Sequence, residues 1–82
     1  MDINNFSRWT ISRQAQYTWK HGNHLARKDG FRFYHDLYRL HNFFVEIVYN
    51  LELGQVDKIE GFNHNARLYE YVEDIDLQHL YL

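Results

Sequence analysis

The stretch FRFYHDLYRLHNFFVEIVYN, residues 31–50, decides the fold of this chain. Aromatic and β-branched residues fill it, and strands prefer both kinds of side chain. His41-Asn42, near its middle, has the composition of a tight turn, because Asn tolerates the left-handed conformation. The stretch therefore predicts two antiparallel strands, at about 31–40 and 43–50, with apolar side chains on both faces.

Glycines mark the boundaries of the neighbouring elements. Asp29-Gly30 predicts a type I′ hairpin turn that follows a strand at about 24–28. Gly54 ends a looser connection after Asn50 and precedes a fourth strand at about 55–62. Gly22 lies further upstream, where it is a natural stop for a helix. The central stretch thus belongs to a predicted four-stranded meander.

A helical pattern lies on each side of the meander. Ile11, Ala15 and Trp19 recur at the spacing of one helix face, and Thr10 or Ser12 can cap a helix at about 10–21. After the strands, an apolar stripe that includes Leu68 predicts a helix at about 64–73, which leaves a tail at 74–82. The sequence therefore predicts one α+β domain, residues 1–82: an N-terminal helix, a four-stranded antiparallel meander, and a short C-terminal helix packed on one face.

The two turns also predict which strand residues face each other. A two-residue loop at Asp29-Gly30 places Lys28 opposite Phe31, Leu25 opposite Tyr34 and His24 opposite His35. A two-residue loop at His41-Asn42 places Leu40 opposite Phe43, Tyr38 opposite Val45 and His35 opposite Val48. One face of the sheet, the first face, is then the richer in apolar residues and is the expected core, with both helices packed on it. Its members are Leu25, Tyr34, Tyr38, Leu40, Phe43, Val45, Ile47 and Tyr49.

The second face of the sheet is the predicted interaction surface. It mixes apolar residues with His24, His35, Arg39 and Glu46, and an exposed patch of this kind usually marks an interaction site. A second copy would cover it in a homodimer, since two-fold dimers are the commonest oligomers. The alternative is that the tail Ile75–Leu82 folds back over it. The expected contact residues are Phe31, Phe33, Leu37, Arg39, Phe44 and Val48.

A set of apolar and turn residues recurs in a recognisable order over residues 10–77. Its members are Gly22, Leu25-Ala26, Leu37-Tyr38, Phe43 to Asn50, Phe62, Leu68, Tyr71 and Ile75-Asp76-Leu77. In the order of these residues the chain resembles a family of small uncharacterised bacterial proteins. That family implies a helix followed by a β-meander with an FFVE-type strand, and it implies no activity, cofactor or catalytic residue.

Six histidines raise the question of a metal site. The predicted register makes His24 and His35 cross-strand neighbours, about 5 Å apart at Cβ, and they are weak candidates for metal ligands. Zinc requires three or four ligands, and nothing identifies a third among His21, His64 and Glu46. We therefore expect no metal and no cofactor. If both imidazoles became protonated, a dimer that uses this face would loosen between about pH 7.5 and 5.5.

Nucleic-acid binding is the alternative function. Residues 1–41 carry seven Lys/Arg against three Asp/Glu, whereas residues 42–82 carry two against eight. Arg27, Lys28 and Arg32 lie at the first hairpin, with Trp19 within reach, and single-strand binders combine such cations with aromatic rings. The acidic half could instead neutralise the basic half, and no recognised nucleic-acid motif accompanies the cluster.

Enzymatic motifs are missing from the sequence. It has no cysteine nucleophile, no G-x-S-x-G elbow and no glycine-rich phosphate loop, so we expect no enzyme. With no cysteine, signal peptide or membrane span in the sequence, we expect a cytoplasmic protein. The predicted function is a non-enzymatic interaction module that self-associates through its β-sheet, with a nucleic-acid-binding accessory protein as the alternative.

Overall fold

Two helices precede a single sheet in the computed structural model, which describes residues 1–63. The elements are α1 Ile3–Ser7, α2 Ile11–His21, β1 Asn23–Asp29, β2 Phe33–Leu40, β3 Phe43–Asn50 and β4 Gln55–Phe62. The strands form one antiparallel sheet in the order β1-β2-β3-β4. The α+β class and the antiparallel meander are confirmed. The helix predicted at 64–73, the tail at 74–82 and His64 lie outside the described residues.

Helix α2 begins and ends where its sequence predicts. The Thr10 hydroxyl accepts a hydrogen bond from the backbone N–H of Arg13 at 3.2 Å and so caps the helix. At the other end, the Gly22 N–H donates to the Thr18 carbonyl at 2.7 Å. A Cβ at Gly22 would lie 2.6 Å from that carbonyl oxygen and 3.3 Å from the Tyr38 ring. Gly22 therefore ends the helix in extended backbone, at a close approach to β2.

Helix α1 precedes α2 and is not predicted by the sequence patterns. The Asp2 carboxylate caps it by accepting from the Asn5 N–H at 2.9 Å, and Phe6 is fully buried. The helix lies over Gly61 of β4, where a Cβ would be 3.2 Å from Ile3 Cγ1. The buried Gln14 side chain donates to the Phe6 carbonyl at 2.8 Å and ties α2 to α1.

The second hairpin follows its predicted register. Leu40 pairs with Phe43, Tyr38 with Val45 and His35 with Val48, around the two-residue turn His41-Asn42. The residue in the left-handed region is His41, with φ 57°, rather than the expected Asn42. The predicted bounds of β3 and β4 are confirmed.

The predicted register of the first hairpin was wrong. Lys28 pairs with His35 and Asp29 with Tyr34, around a loop of Gly30, Phe31 and Arg32. Neither Asp29 nor Gly30 has positive φ, so the type I′ turn does not form. The observed register places the buried Asp36 beside Arg27, which satisfies a carboxylate that would otherwise be costly to bury.

Both faces of the sheet contain buried apolar residues. On the first face, which α1 and α2 cover, the core consists of Phe6, Leu40, Phe43, Val45 and Ile47. On the second face, Ala26 and Leu37 are buried, with Leu25, Phe44 and Phe62 packed against them. A bulge in β1 between His24 and Ala26 moves Leu25 to the second face and His24 to the first, so the predicted faces of these two residues were wrong.

Candidate functional site

The predicted contact residues on the second face differ in exposure. Leu37 is fully buried and Val48 is 8% exposed, while Phe33, Arg39 and Phe44 are half-buried. Phe44 stacks on Phe62 with ring centroids 5.7 Å apart. Phe31 lies in the loop that precedes β2 and is 93% exposed. Phe31 is therefore the member of the predicted surface that is freely accessible to a partner.

The predicted His24–His35 pair does not form. His24 pairs with Tyr38 on the first face, and its Nε2 lies 2.9 Å from Asp36 Oδ1. His35 lies on the second face, with its Nδ1 3.7 Å from Glu46 Oε2. The His24 and His35 rings are therefore not neighbours, and protonating both does not bring two like charges together. Within residues 1–63, no three His, Asp or Glu side chains are placed to hold a metal ion together.

Asp36 is the centre of a polar cluster on the first face. Its buried carboxylate accepts from Arg27 Nε at 2.7 Å and from the Arg27 guanidinium again at 3.1 Å, and it also contacts His24. Arg27 lies over the Tyr34 ring at 4.1 Å. An Asp–His contact can orient a general base, but the Arg27 fork holds this carboxylate in a bidentate pair. The cluster therefore acts as a link between β1 and β2.

The surroundings of Asp36 raise the pKa values of two neighbouring side chains, Arg27 and Tyr38. The hydrogen bond with Asp36 raises the pKa of Arg27 above its ordinary value. Burial raises the pKa of the Tyr38 phenol, and the Asp36 charge raises it further. Arg27 thus stays charged and Tyr38 neutral at physiological pH, so neither group supplies a proton donor or acceptor that titrates near neutrality.

The residues of the nucleic-acid alternative lie in separate places. Arg27 is bound to Asp36 on the first face, and Lys28, the next residue in the strand, points to the second face and is half-buried. Arg32 lies in the loop, with its guanidinium carbon 5.8 Å from the Phe31 ring centroid. Trp19 lines a groove between α2 and Val56 of β4. The structure does not bring these four side chains into one surface.

An exposed apolar cluster lies at one end of the sheet, where the β1–β2 and β3–β4 loops meet. We call this cluster, Phe31, Leu51 and Leu53, the loop end. Leu51 is 52% and Leu53 65% exposed. From the sequence, residues 51–54 are predicted only as a connection between strands. Two leucines in a segment too short for either a strand or a helix were the signal that could have found this site.

Hydrogen bonds fix the shape of the loop end. The Leu51 N–H donates to the Arg32 carbonyl at 2.9 Å and so joins the two loops. The Asn50 side-chain oxygen accepts from the backbone N–H groups of Glu52 and Leu53, at 2.9 and 3.0 Å. Gly54, with φ 65°, closes the turn by donating to the Asn50 carbonyl. The exposed leucines therefore stand on an ordered loop.

Neither the lengths of the described helices nor similarity to known proteins indicates a function. No helix in the described part of the chain is both long and apolar enough to cross a membrane. Comparison with protein-family models, curated proteins and solved structures found no match to this chain. The resemblance to a family of small bacterial proteins therefore stays a prediction.

Proposed function

We propose that the protein is a non-enzymatic interaction module that self-associates through the loop end of its β-sheet. The observation that carries this proposal is the 93% exposure of Phe31 on a loop that is hydrogen-bonded to its neighbour. Large aromatic residues dominate the binding energy of protein interfaces. A site that is already ordered also loses less conformational entropy on binding.

A second copy of the chain is the partner that the charges favour. A two-fold interface must be complementary to itself, and the loop end offers one cationic and one anionic side chain next to its apolar residues. Arg32 lies in the first loop and Glu52 in the second, and within residues 1–63 neither takes part in an ion pair. When the first loop of one copy meets the second loop of the other, Phe31 contacts the leucines and Arg32 faces Glu52.

The loop end is a better site for contact with a partner than the second face, because several apolar residues of the second face are already buried. Leu37, Ala26 and Val48 are already removed from solvent in a single chain, so a partner would gain little additional apolar burial from them. The proposal thus keeps self-association through the sheet and moves the contact to its end. We also propose a cytoplasmic location and a bacterial origin, which the sequence composition and the family resemblance support.

Replacing Phe31 tests the proposal. We expect Phe31→Ser to weaken dimerisation by about 2 kcal/mol or more, which is roughly thirtyfold in Kd, because it removes the aromatic anchor. Sedimentation velocity across a concentration series measures this change. Trp19→Ser is the matched control, since Trp19 is an exposed aromatic, 51% accessible, that lies on α2 and outside both loops. A wild-type protein that stays monomeric, or equal effects of the two variants, would contradict the proposal.

A further inference from the structure

A surface cleft between α1 and α2 has a volume of about 510 Å³ and lies apart from the loop end. Its lining residues are Met1, Asn5, Arg8, Trp9, Arg13 and Tyr17. The cleft is shallow and open to solvent, so a ligand would lie against its wall rather than inside an enclosed pocket. Two of the lining residues are arginines and none is a carboxylate, so the cleft is cationic even though the whole chain has a net charge of −2.

The two guanidinium groups of the cleft, those of Arg8 and Arg13, are not paired with a carboxylate within residues 1–63. Arg13 lies over the Trp9 ring, with its guanidinium carbon 3.9 Å from the ring centroid. Such stacking orients the planar group and leaves its N–H donors at the edge. Arg13 is therefore positioned in advance for an anion.

Aromatic contacts hold the wall of the cleft in place. Trp9 contacts Phe6 with ring centroids 5.8 Å apart and meets Tyr17 edge-on at 5.2 Å. The Tyr17 hydroxyl lies 2.9 Å from His41 Nε2, and the Tyr17 ring is 4.4 Å from the His21 ring. These contacts connect α1, α2 and the β2–β3 turn, so the arginines project from an ordered wall.

We infer that this cleft binds the phosphate of a nucleotide, with Arg8 and Arg13 on the phosphate and the base against the apolar wall. Guanidinium groups match the bidentate geometry of phosphate oxygens. A base can stack on an arginine plane or on aromatic side chains, and Met1, Trp9 and Tyr17 supply apolar area for it. The same chemistry applies to a free nucleotide and to a nucleotide within a single strand.

Tryptophan fluorescence provides the test, in a Trp19→Phe background where Trp9 is the remaining tryptophan. We expect adenosine monophosphate to change the Trp9 emission in a saturable way, and adenosine, which lacks the phosphate, to bind at least about tenfold more weakly. A short oligothymidylate distinguishes the two ligand sources. Tighter binding of the oligonucleotide assigns the site to single strands, and equal or weaker binding assigns it to free nucleotides.

Substitutions of Arg8 and Arg13 test whether these side chains bind the phosphate. Arg8→Gln and Arg13→Gln should each lower the affinity for adenosine monophosphate by about tenfold or more. Lys20→Gln is the matched control, because it removes one positive charge from α2 outside the cleft. Circular dichroism verifies that each variant is folded. Equal binding of adenosine and adenosine monophosphate, no saturable signal, or equal effects of Lys20→Gln and Arg13→Gln would overturn the inference.

Discussion

At the residue scale, Asp36 shows how one buried charge selects a strand register. Its carboxylate accepts two hydrogen bonds from Arg27 and contacts His24, all from the neighbouring strand. In the register predicted from the Asp29-Gly30 turn, Asp36 would face Asn23 and lose the Arg27 fork. The turn preference of Asp29-Gly30 favours the predicted register. The pairing of the buried Asp36 carboxylate with Arg27 stabilises the observed register instead.

Replacing Asp36 with Asn tests this role. The amide keeps the size of the side chain but removes its charge and one acceptor oxygen, so we expect Asp36→Asn to lower the free energy of unfolding by about 1–3 kcal/mol. Urea denaturation measures the loss. Asp57→Asn is the control, because Asp57 is exposed on β4, and its effect should stay within about 0.5 kcal/mol. Equal stability of both variants would show that the Asp36 cluster does not stabilise the fold.

At the element scale, the sequence predicted the parts that local signals determine. Helix α2 has both a cap and an apolar stripe, and the second hairpin has a two-residue turn between long apolar strands, so their positions were correct. Helix α1 has five residues and one buried side chain, Phe6, which is too short for a periodic pattern. It exists because Gly61 leaves room for Ile3 on β4, and that contact is invisible in the local sequence.

The bulge at Leu25 is a second feature that local patterns did not predict. Period-two alternation assigns Leu25 to the first face, but one extra residue in β1 reverses the alternation. The shifted register of the first hairpin places Lys28 opposite His35, and the bulge then turns His24 to the other face. Together they remove the metal and pH hypotheses that depended on the His24–His35 pair.

Gly22 supplies the prediction at this scale. A methyl group there would lie 2.6 Å from the Thr18 carbonyl oxygen, so either the end of α2 or β2 must move. We expect Gly22→Ala to lower the free energy of unfolding by about 1–3 kcal/mol, in the range of other forced overpacking. Thermal denaturation followed by circular dichroism measures it. Lys20→Ala, on an exposed position of the same helix, should be nearly neutral, and a neutral Gly22→Ala would show that the junction can relax freely.

At the scale of the whole molecule, the three most exposed large apolar side chains among residues 1–63, Phe31, Leu53 and Leu51, lie at the loop end rather than on the second face. Sequence patterns showed that both faces are apolar, and both contain buried residues. They could not show which residues stay exposed, because exposure depends on how loops from different parts of the chain meet. Phe31 was identified from sequence, whereas Leu51 and Leu53 emerged from the pairing of the two loops.

A charge-reversal mixture tests the loop-end dimer most directly. Arg32→Glu and Glu52→Arg should each weaken self-association, because like charges then face each other across the two-fold axis. Each ion pair contributes only about 0.2–1 kcal/mol, so either variant alone weakens the dimer only slightly. The equimolar mixture of both variants is therefore the more decisive measurement. Sedimentation velocity of an equimolar mixture should show dimers restored to the wild-type level, since both contacts are again between opposite charges. A mixture that associates no better than either variant alone would contradict the loop-end dimer.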